Sequence, residues 1–397
     1  MISSKMLKLT QSGGAIRAMF EEGNRLAAEF GRENVFDFSL GNPNFPPPDA
    51  VKTAITDVLS EYSPNEIHGY MSNAGFVPVR AAVAEFLNKK HGTCFGADNI
   101  IMTVGAAGGL NAALKTLLDP GDEVITFAPY FVEYGNYVDN YDGRLVVVPP
   151  NIPSFQPDAR ALAAAVTRKT KAVIINSPNN PTGAVYTEAS IKDIAAVLEQ
   201  KQKEYGAPIY LLSDEPYREL AYDGAAVPYI TKYYGNTLVC YSWSKSLSLP
   251  GERIGYLAVS PEAEDAALIF DAASIATRVI GFVNAPSLMQ LAVARCLDEK
   301  VDVAAYDANR RALYDGLTAR GFKCAFPEGA FYMWVQAPGG DDRAFAAAAK
   351  KYNILVVPGT SFACPGYVRI AYCIDKATVE RSMDGFSKLA AEYGLTV

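Results

Sequence analysis

The sequence predicts an α/β fold in which a large, mostly parallel sheet is covered by helices and joined to a smaller α+β domain. Apolar segments of strand length alternate with helical patterns through the middle of the chain, at 123–127, 144–148, 171–176, 209–213 and 237–241. Such alternation is typical of parallel sheets that helices bury on both faces. The length of 397 residues also exceeds the size at which one hydrophobic core usually stops growing, so two lobes are expected.

The stretch between the third and fourth of these strands carries the clearest helical pattern. Ile191, Ile194, Ala195 and Leu198 recur at helical spacing, with charged residues on the opposite face. A helix that packs on a sheet buries one such apolar face. We therefore interpret these residues as core rather than as a binding site.

Both ends of the chain differ from this middle part. The prolines between residues 43 and 48 cannot continue a helix or join a central strand, so they predict an extended crossing segment. After about residue 301 the sequence turns alanine-rich and helical, and then predicts short strands at 330–335, 354–357 and 368–371 and a last helix near 379–393. This change of pattern predicts the smaller lobe.

The charge of the chain argues against several classes of partner. The formal net charge is −7, and no block of like charges offers a nucleic-acid or membrane arm. No segment stays apolar for the roughly 18 residues that a membrane span requires, and the N-terminus lacks the apolar core of a secretion signal. We expect a soluble, cytoplasmic protein that binds neither nucleic acid nor membrane.

The side chains available for catalysis are also restrictive. The only histidines are His68 and His91, which leaves almost nothing for a Ser-His-Asp or histidine–metal mechanism. The six cysteines show no metal-ligand or CxxC spacing, so buried free thiols in a reducing compartment are favoured over disulfides. No metal site is expected, and acid–base chemistry falls to lysine, tyrosine or a cofactor.

One lysine lies among hydroxyl groups, in the motif Ser242-Trp243-Ser244-Lys245 with Arg253 shortly after it. An amine can hold the aldehyde of pyridoxal 5′-phosphate as a Schiff base, and an arginine with hydroxyls can hold its phosphate. This motif alone would be weak. It is preceded by two further segments, NSPNNPTG at 176–183 and SDEPY at 213–217.

With these motifs in this order and spacing, the chain resembles the class I/II, aspartate-aminotransferase-like, fold-type I pyridoxal-phosphate enzymes over nearly its whole length. The resemblance implies a large cofactor-binding domain of residues 50–295. It also implies a small domain assembled from both chain ends, 1–49 and 296–397. The implied active unit is a homodimer with shared active sites, which acts on a small-molecule amino acid and a 2-oxo acid.

Asp214 closes an apolar run and so stands at the carboxyl end of a strand, where open α/β sheets bind ligands. Its position alone fits either a partner of the cofactor's pyridine nitrogen or a helix N-cap, and the resemblance favours the partner. The resemblance also gives Asn180 and Tyr217 hydrogen bonds to the cofactor's ring oxygen, although the residues around Asn180 favour a turn in any case. The implied catalytic residues are Lys245, Asp214 and Tyr217, with Lys245 moving the proton from the substrate's α-carbon.

The phosphate end of the cofactor site is predicted from two segments. Gly105, Ala106 and Ala107 lie in a glycine-rich turn before a helical pattern. The turn resembles the family's phosphate-binding turn, in which backbone amides and the helix dipole meet the anion. A glycine-rich turn by itself is a weak signal. The other members of the implied phosphate clamp are Ser242, Ser244 and Arg253.

Two aromatic residues complete the predicted cofactor site. Phe131 follows another strand end, and the resemblance assigns it to stacking on the pyridine ring, the alternative being a packing residue at a helix start. Tyr70 corresponds to a tyrosine that family members lend across the dimer interface to the neighbour's phosphate, the alternative being an ordinary surface tyrosine. Asn284 lies where the family's other cross-subunit loop falls.

Arg369 stands in an otherwise apolar strand, where an unpaired guanidinium would be costly. The resemblance implies that it binds the substrate's α-carboxylate bidentately, and the alternative is a structural ion pair. Gly41 matches the glycine whose backbone lines the other side of the substrate. Asn180 matches a residue that contacts the same carboxylate.

The substrate range stays open. Some aspartate-specific members have a lysine where Ala107 stands, and others have an arginine where Val279 stands, so neither charge is present here. Arg278 is one position off, and it is either a pocket residue or a solvated residue at a helix end. Aspartate and a broad or neutral range of amino acids are equally compatible with the sequence.

The implied reaction transfers the α-amino group of an L-amino acid to a 2-oxo acid by a ping-pong mechanism. The same scaffold supports C–S β-lyases, which would share Lys245, Asp214 and Arg369. A non-catalytic regulator that binds the cofactor is a further alternative, disfavoured because the chain is acidic and shows no winged-helix pattern. Transamination is favoured over both.

Overall fold

The computed structural model describes residues 2–11 and 15–395. Its strands are β1 (Phe36–Asp37), β2 (Ile100–Thr103), β3 (Glu123–Phe127), β4 (Arg144–Val148), β5 (Thr170–Asn176), β6 (Tyr210–Asp214), β7 (Thr237–Ser242), β8 (Gly255–Val259), β9 (Cys324–Ala325), β10 (Tyr332–Gln336), β11 (Ile354–Leu355), β12 (Val357–Pro358) and β13 (Tyr367–Ala371). Its helices are α1 (Ser4–Gln11), α2 (Ala15–Phe30), α3 (Asp49–Glu61), α4 (Pro64–His68), α5 (Val77–His91), α6 (Gly105–Leu117), α7 (Glu133–Asn140), α8 (Ala159–Ala165), α9 (Glu188–Tyr205), α10 (Trp243–Ser246), α11 (Ala266–Val279), α12 (Ser287–Val293), α13 (Val303–Thr318), α14 (Asp342–Lys350) and α15 (Lys376–Glu392).

Seven strands form one large sheet in the order β2-β8-β7-β6-β5-β3-β4. The strands from β3 to β7 run parallel, whereas β8 is antiparallel to both of its neighbours, β2 and β7. The predicted fold class, a large and mostly parallel sheet covered by helices, is confirmed. The strands predicted in the middle of the chain agree with β3 to β7 to within one residue at each end.

Helices cover both faces of this sheet because alternate strand residues point to opposite sides. Ile174 and Leu212 pack in one apolar cluster with residues of α6 and α11, whereas Val173 and Leu211 pack in another with residues of α9. Both clusters are made of side chains that are almost completely buried. The sheet is thus the middle layer of three.

Helix α9 shows how the local sequence sets the bounds of these helices. Thr187 precedes it, and its hydroxyl accepts a hydrogen bond from the backbone N–H of Ser190. Gly206 follows it in a left-handed conformation, with φ of 68°, which glycine adopts without steric cost. The residues that we predicted as its core face are all buried, so this prediction is confirmed.

The C-terminal part of the chain forms a second, antiparallel sheet in the order β12-β13-β10-β9. The N-terminal segment joins this part of the chain, because β1 pairs in parallel with β11 in a separate two-stranded sheet. Phe38, just after β1, packs in the same apolar cluster as Val335 and Ile370 of the second sheet. The segment before the large sheet therefore packs on the part of the chain that follows it.

One strand prediction in this region is wrong. The sequence predicts a single strand at 354–357, but two short strands, β11 and β12, replace it. β11 pairs with β1, whereas β12 pairs with β13 of the second sheet. The apolar run is continuous, so its pattern could not reveal that the chain changes pairing partner at Val356.

The carboxyl ends of the central strands meet at one edge of the large sheet. Asn176, Asp214 and Ser242 are the last residues of β5, β6 and β7, and Asn176 lies directly opposite Asp214 in the ladder. Arg369 in β13 approaches the same edge from the second sheet, since it donates a hydrogen bond to Asn180 in the loop after β5. This edge is where an open α/β sheet is expected to bind a ligand.

No helix formed by the described residues is long and apolar enough to cross a bilayer. All six cysteines lie within the described residues and are free thiols. Among the same residues, no group of three or more His, Cys, Asp or Glu side chains is arranged to hold a metal ion.

Candidate active site

A cavity of about 290 Å³ opens at this edge, between the large sheet and the second sheet. Most of the residues predicted to bind a cofactor or substrate line it, and only Gly105 and Tyr70 do not. The predicted residues that line it are Gly41, Ala106, Ala107, Phe131, Asn180, Asp214, Tyr217, Ser242, Ser244, Lys245, Arg253 and Arg369. Folding therefore brings motifs from both ends and the middle of the chain into one place.

Asp214 is a buried carboxylate with one oxygen left free. Tyr134 of α7 donates a hydrogen bond of 2.5 Å to its Oδ2, whereas its Oδ1 has no partner within the described residues. Burial raises the pKa of Asp214 to about 7, against the lowering effect of the Tyr134 hydrogen bond. No helix begins at Asp214, so the N-cap alternative does not apply. A carboxylate in this setting favours a positively charged or hydrogen-bond-donating ligand.

Lys245 lies in the short helix α10, directly after β7. Its Nζ donates a hydrogen bond of 2.7 Å to the backbone carbonyl of Gly41. The pKa of Lys245 is lowered to about 8, chiefly by burial and also by the nearby guanidinium groups of Arg253 and Arg369, whereas Cys373 acts to raise it. A lysine with a depressed pKa supplies the neutral amine that attacks a carbonyl group.

Tyr217 and Asn180 face the cavity from the loops after β6 and β5. The Tyr217 hydroxyl lies 2.9 Å from the hydroxyl of Tyr332, at the start of β10. The loop that carries Asn180 is held by Asn176, whose Oδ1 accepts a hydrogen bond from the Asn180 backbone N–H. The Nδ2 of Asn176 in turn donates to the backbone carbonyl of Asp214. Asn176 thereby fixes this loop to the end of β6.

Groups that favour an anion lie together at the start of α6. Gly105 has a φ of 78°, which side-chain-bearing residues rarely adopt, and a Cβ there would lie 2.9 Å from Nη2 of Arg253. The hydroxyls of Ser242 and Ser244 lie 2.6 Å apart beside it. Within the described residues, Arg253 donates to the backbone carbonyls of Pro250 and Val104 and to no carboxylate. Helix N-terminal amides, hydroxyls and an arginine are the groups that bind phosphate in proteins.

Arg369 is buried, with only 2 % of its surface exposed. Its Nη1 donates to Oδ1 of Asn180 and its Nη2 donates to the backbone carbonyl of Ser39, but its Nε has no partner. The guanidinium lies over the rings of Tyr332 and Phe362, at 4.5 and 5.0 Å from their centroids. None of the ion pairs formed by described residues involves Arg369. The structural ion-pair alternative has no support in the part of the chain that the structure describes, because no carboxylate there pairs with Arg369.

This combination of a free carboxylate oxygen, a buried amine, an anion site and an unpaired arginine can be compared with known proteins. Residues 33–386 match the family described as "Aminotransferase class I and II". The chain belongs to this family. It is an aminotransferase, and its fold is that of the aspartate-aminotransferase-like fold-type I enzymes.

Relatives of this aminotransferase carry different substrate names. The chain is 32% identical to an aspartate/prephenate aminotransferase of Thermus thermophilus, over 92% of this chain and 94% of the relative. It is 31% identical to aromatic-amino-acid aminotransferase 2 of Thermococcus litoralis, again over 92% and 94%. Among solved structures, an amino transferase from Eubacterium rectale is 48% identical over 99% of both chains, with a TM-score of 0.96.

Class I and II aminotransferases use pyridoxal phosphate, and the residues of this cavity fit that group. The free Oδ1 of Asp214 suits a protonated pyridine nitrogen, and the amine of Lys245 suits the aldehyde. The start of α6, where Gly105 leaves room that a Cβ would fill, suits the phosphate. Each part of the cofactor thus has a matching group among the residues present.

Besides Gly105, three residues singled out in the sequence lie outside the cavity: Tyr70, Arg278 and Asn284. Tyr70 is 97% exposed, and Arg278 is exposed at the end of α11. Asn284 lies in a loop that contacts the segment carrying Tyr70, because its Nδ2 donates a hydrogen bond of 2.7 Å to the backbone carbonyl of Ser72. The sequence predicts cross-subunit roles for Tyr70 and Asn284, and it leaves Arg278 as either a pocket residue or a solvated residue at a helix end.

Sequence reasoning missed two tyrosines that contact the predicted catalytic residues. Tyr134 bonds Asp214, and Tyr332 bonds Tyr217 and lies under Arg369. The signal for Tyr134 was its place three residues after Phe131, whose ring it contacts edge to face with 5.7 Å between the ring centroids. Tyr332 gave no comparable signal, since it begins an apolar strand.

Proposed function

We propose that this aminotransferase moves the α-amino group of an L-amino acid to a 2-oxo acid through pyridoxal phosphate held in the cavity between the two sheets. One observation carries the proposal. The amine of Lys245, the free Oδ1 of Asp214 and the free Nε of Arg369 all belong to residues that line a single cavity. An amine, a pyridinium partner and a carboxylate site are the groups that this reaction needs.

Several residues would hold the cofactor. Ser242, Ser244, Arg253 and the amides at the start of α6 would bind the phosphate. Phe131 would stack on the ring, and Tyr217 and Asn180 would hydrogen-bond its ring oxygen. When bound, the cofactor's protonated pyridine ring accepts the electron pair left at the substrate's α-carbon. Asp214 would keep that nitrogen protonated, since Tyr134 occupies only one of its oxygens.

Lys245 would do two tasks. Its Nζ would hold the aldehyde of the bound cofactor between turnovers. As a free amine, Lys245 would take the proton from the substrate's α-carbon and later release it. Arg369 would hold the α-carboxylate meanwhile, using its free Nε, with Gly41 lining the opposite side of the substrate. A second 2-oxo acid would bind after the first product has left and undergo the same steps in reverse order, which gives ping-pong kinetics.

For the substrate we propose aspartate or a broad range of amino acids. The relatives' names point to aspartate, prephenate and aromatic amino acids. Besides Arg253 at the phosphate end and Lys245, the described lining of the cavity offers one cation, Arg369, which suits one carboxylate. A second carboxylate would need a cation from elsewhere, and Arg278 of a second subunit is the candidate in this sequence.

We further propose a homodimer with shared active sites. Tyr70 is almost fully exposed, as a residue lent to a neighbour would be in an isolated chain. Leu268, Ile275 and Val279 are also exposed, and their spacing places them on one side of α11. Activity per subunit should fall when the enzyme is diluted below the dimer dissociation constant; monomers that keep full activity would remove the interface role of Tyr70.

The packing supports the domain boundaries predicted from the sequence. We propose a large domain of residues 50–295 and a small domain of residues 1–49 and 296–397. The pairing of β1 with β11 and the shared apolar cluster around Phe38 support this division. The cytoplasmic location stays a prediction.

The reaction is tested with enzyme saturated with pyridoxal phosphate. Initial rates are measured for a panel of L-amino acids at several concentrations of a 2-oxo acid. Transamination predicts parallel double-reciprocal lines and one new amino acid for each 2-oxo acid consumed. Pyruvate and a thiol formed from cystathionine without any 2-oxo acid would identify a C–S β-lyase instead. Bound cofactor without any turnover would indicate a regulator.

A further inference from the structure

Tyr332 occupies the centre of the predicted site, although no motif marks it. It is 2 % exposed and lines the cavity at the start of β10. Its hydroxyl lies 2.9 Å from that of Tyr217, and its ring lies 4.5 Å below the guanidinium of Arg369. It also leaves no room for a side chain at residue 41, because a Cβ on Gly41 would lie 1.9 Å from the Tyr332 hydroxyl.

The direction of the hydrogen bond between the two tyrosines can be worked out by counting protons. A phenol carries one proton to donate and can accept two hydrogen bonds. Burial raises the pKa of Tyr332 to about 12 and that of Tyr217 well above its usual value, so both keep their protons at neutral pH. Among the described residues each hydroxyl has the other as its only hydrogen-bond partner. If Tyr217 donates its O–H to the ring oxygen of the cofactor, the hydrogen bond between the two tyrosines must be donated by Tyr332 and accepted by Tyr217.

We propose that Tyr332 is a positioning residue. Its hydroxyl group donates a hydrogen bond to the Tyr217 hydroxyl and so orients the O–H of Tyr217 toward the ring oxygen of the cofactor. The inference rests on the proposed function, in which Tyr217 contacts that oxygen. A hydrogen bond received by Tyr217 polarises its own O–H group, which strengthens the bond that it donates. Tyr332 therefore helps to stabilise negative charge on the ring oxygen without contacting it.

The same residue supports the carboxylate site through its ring. The guanidinium of Arg369 lies between the rings of Tyr332 and Phe362, and this contact does not involve the hydroxyl. Replacing Tyr332 with phenylalanine removes the proton donor and keeps the ring. The substitution thus separates the two roles.

The test is an absorption titration of the holoenzyme without substrate. The measured quantity is the pKa of the nitrogen that joins Lys245 to the cofactor, because a better stabilised ring anion lowers the proton affinity of that nitrogen. Tyr217→Phe should raise this pKa by roughly one to two units, as expected for losing a hydrogen bond to a charged group. Tyr332→Phe should raise it by roughly half a unit, since its effect passes through Tyr217. The double variant, which carries both Tyr217→Phe and Tyr332→Phe, should show the same pKa as Tyr217→Phe alone, because Tyr332 acts only through the Tyr217 hydroxyl.

Charged and titratable groups near the pair stay in place in these variants. They are Asp214, Arg369 and Cys373, so a shift in the titration is not due to their loss. Tyr372→Phe is the matched control: Tyr372 is buried in the same apolar cluster, but its hydroxyl donates to the backbone carbonyl of Ala330. This variant should titrate like the wild type.

Kinetics supply a second readout. Tyr332→Phe should lower kcat severalfold and leave KM for the amino acid within about twofold, because Arg369 keeps its ring contact. An unchanged titration in Tyr332→Phe, a further shift in the double variant, or a larger shift than in Tyr217→Phe would each overturn the proposal. Failure of the wild type to bind the cofactor would instead overturn the proposed function.

Discussion

Two neighbouring carboxylates at the end of β6 have opposite surroundings. Glu215 points away from the cavity, where its Oε2 accepts a hydrogen bond of 2.5 Å from Nε of Arg218 and its Oε1 accepts one from Ser213. The remaining nitrogens of Arg218 donate to the backbone carbonyls of Val227 and Pro228. On the cavity side, Asp214 has a free Oδ1 and Arg369 has a free Nε.

Burial does not explain this difference. Both arginines are buried, and both lie over an aromatic ring, Arg218 at 4.9 Å from the centroid of Tyr229 and Arg369 at 4.5 Å from that of Tyr332. Only their partners differ. Leaving a buried charge without a partner is costly, so a chain that keeps two such groups at one cavity indicates that a ligand completes them. We therefore expect the paired side, Glu215 with Arg218, to stabilise the fold and the open side, Asp214 with Arg369, to bind the ligand.

The largest effect should come from removing the amine on the open side. Lys245→Ala should lower turnover by roughly 10⁴-fold or more, because the variant lacks both the group that holds the cofactor and the group that moves the proton. Single-turnover rates measured after adding cofactor and amino acid check this. Substantial residual transamination would contradict the assignment.

On the paired side, the expected loss is in stability. Arg218→Ala leaves Glu215 buried without its ion-pair partner, which should lower the free energy of unfolding by about 3–5 kcal/mol. Urea denaturation of the apoprotein measures it. Arg369→Ala serves as the control, since it breaks no ion pair and should cost less. Equal losses in the two variants would remove the distinction between the two sides.

The free carboxylate should make the stability of the apoprotein depend on pH. The pKa of Asp214 is raised to about 7 in the fold, from an ordinary value of 3.8, so the folded state binds more protons than the unfolded state between these values. Stability from this group is therefore present at low pH and is lost as pH rises to about 7, by up to about 4 kcal/mol. Denaturation of the wild type and Asp214→Asn across this range should show the difference. Parallel curves would contradict it.

The smallest effect is expected at Arg369, whose Nε is free, and it concerns the binding of the substrate. Arg369→Ala should raise KM for every amino acid by roughly 10²-fold, the loss expected when a buried carboxylate loses its charged partner. The absorption spectrum of the bound cofactor should not change, because the proposed contact of Arg369 is with the substrate and not with the cofactor. Steady-state kinetics with the panel of amino acids measures the effect, and an unaffected KM would defeat the assignment.

The sequence predicted those parts of the fold that depend on the local pattern of apolar residues. Continuous apolar runs placed β3 to β7 within a residue, but no local pattern reveals that β8 runs antiparallel or that Val356 separates two strands. Direction and partner are tertiary choices.

The sequence predicted the charged residues of the candidate site, but it did not predict the tyrosines that contact them. Asp214 and Arg369 were conspicuous as charges next to or within an apolar run, and Lys245 was predicted from the hydroxyl groups around it and from Arg253 shortly after it. Tyr134 and Tyr332 look like core, and they lie 80 and 115 positions from the residues that they bond. The proposed roles of Tyr70 and Arg278 would need a second copy of the chain, which the pattern of one sequence does not describe.

The most direct test of the central claim, that the open side is completed by pyridoxal phosphate and an amino acid, is an absorption spectrum of the holoenzyme. L-amino acids are added one at a time without a 2-oxo acid. We expect the absorption band of the lysine-bound pyridoxal form to be converted into that of pyridoxamine phosphate, with one 2-oxo acid released for each site. A persistent pyridoxal band with pyruvate accumulating, or no cofactor band even after adding pyridoxal phosphate, would contradict it.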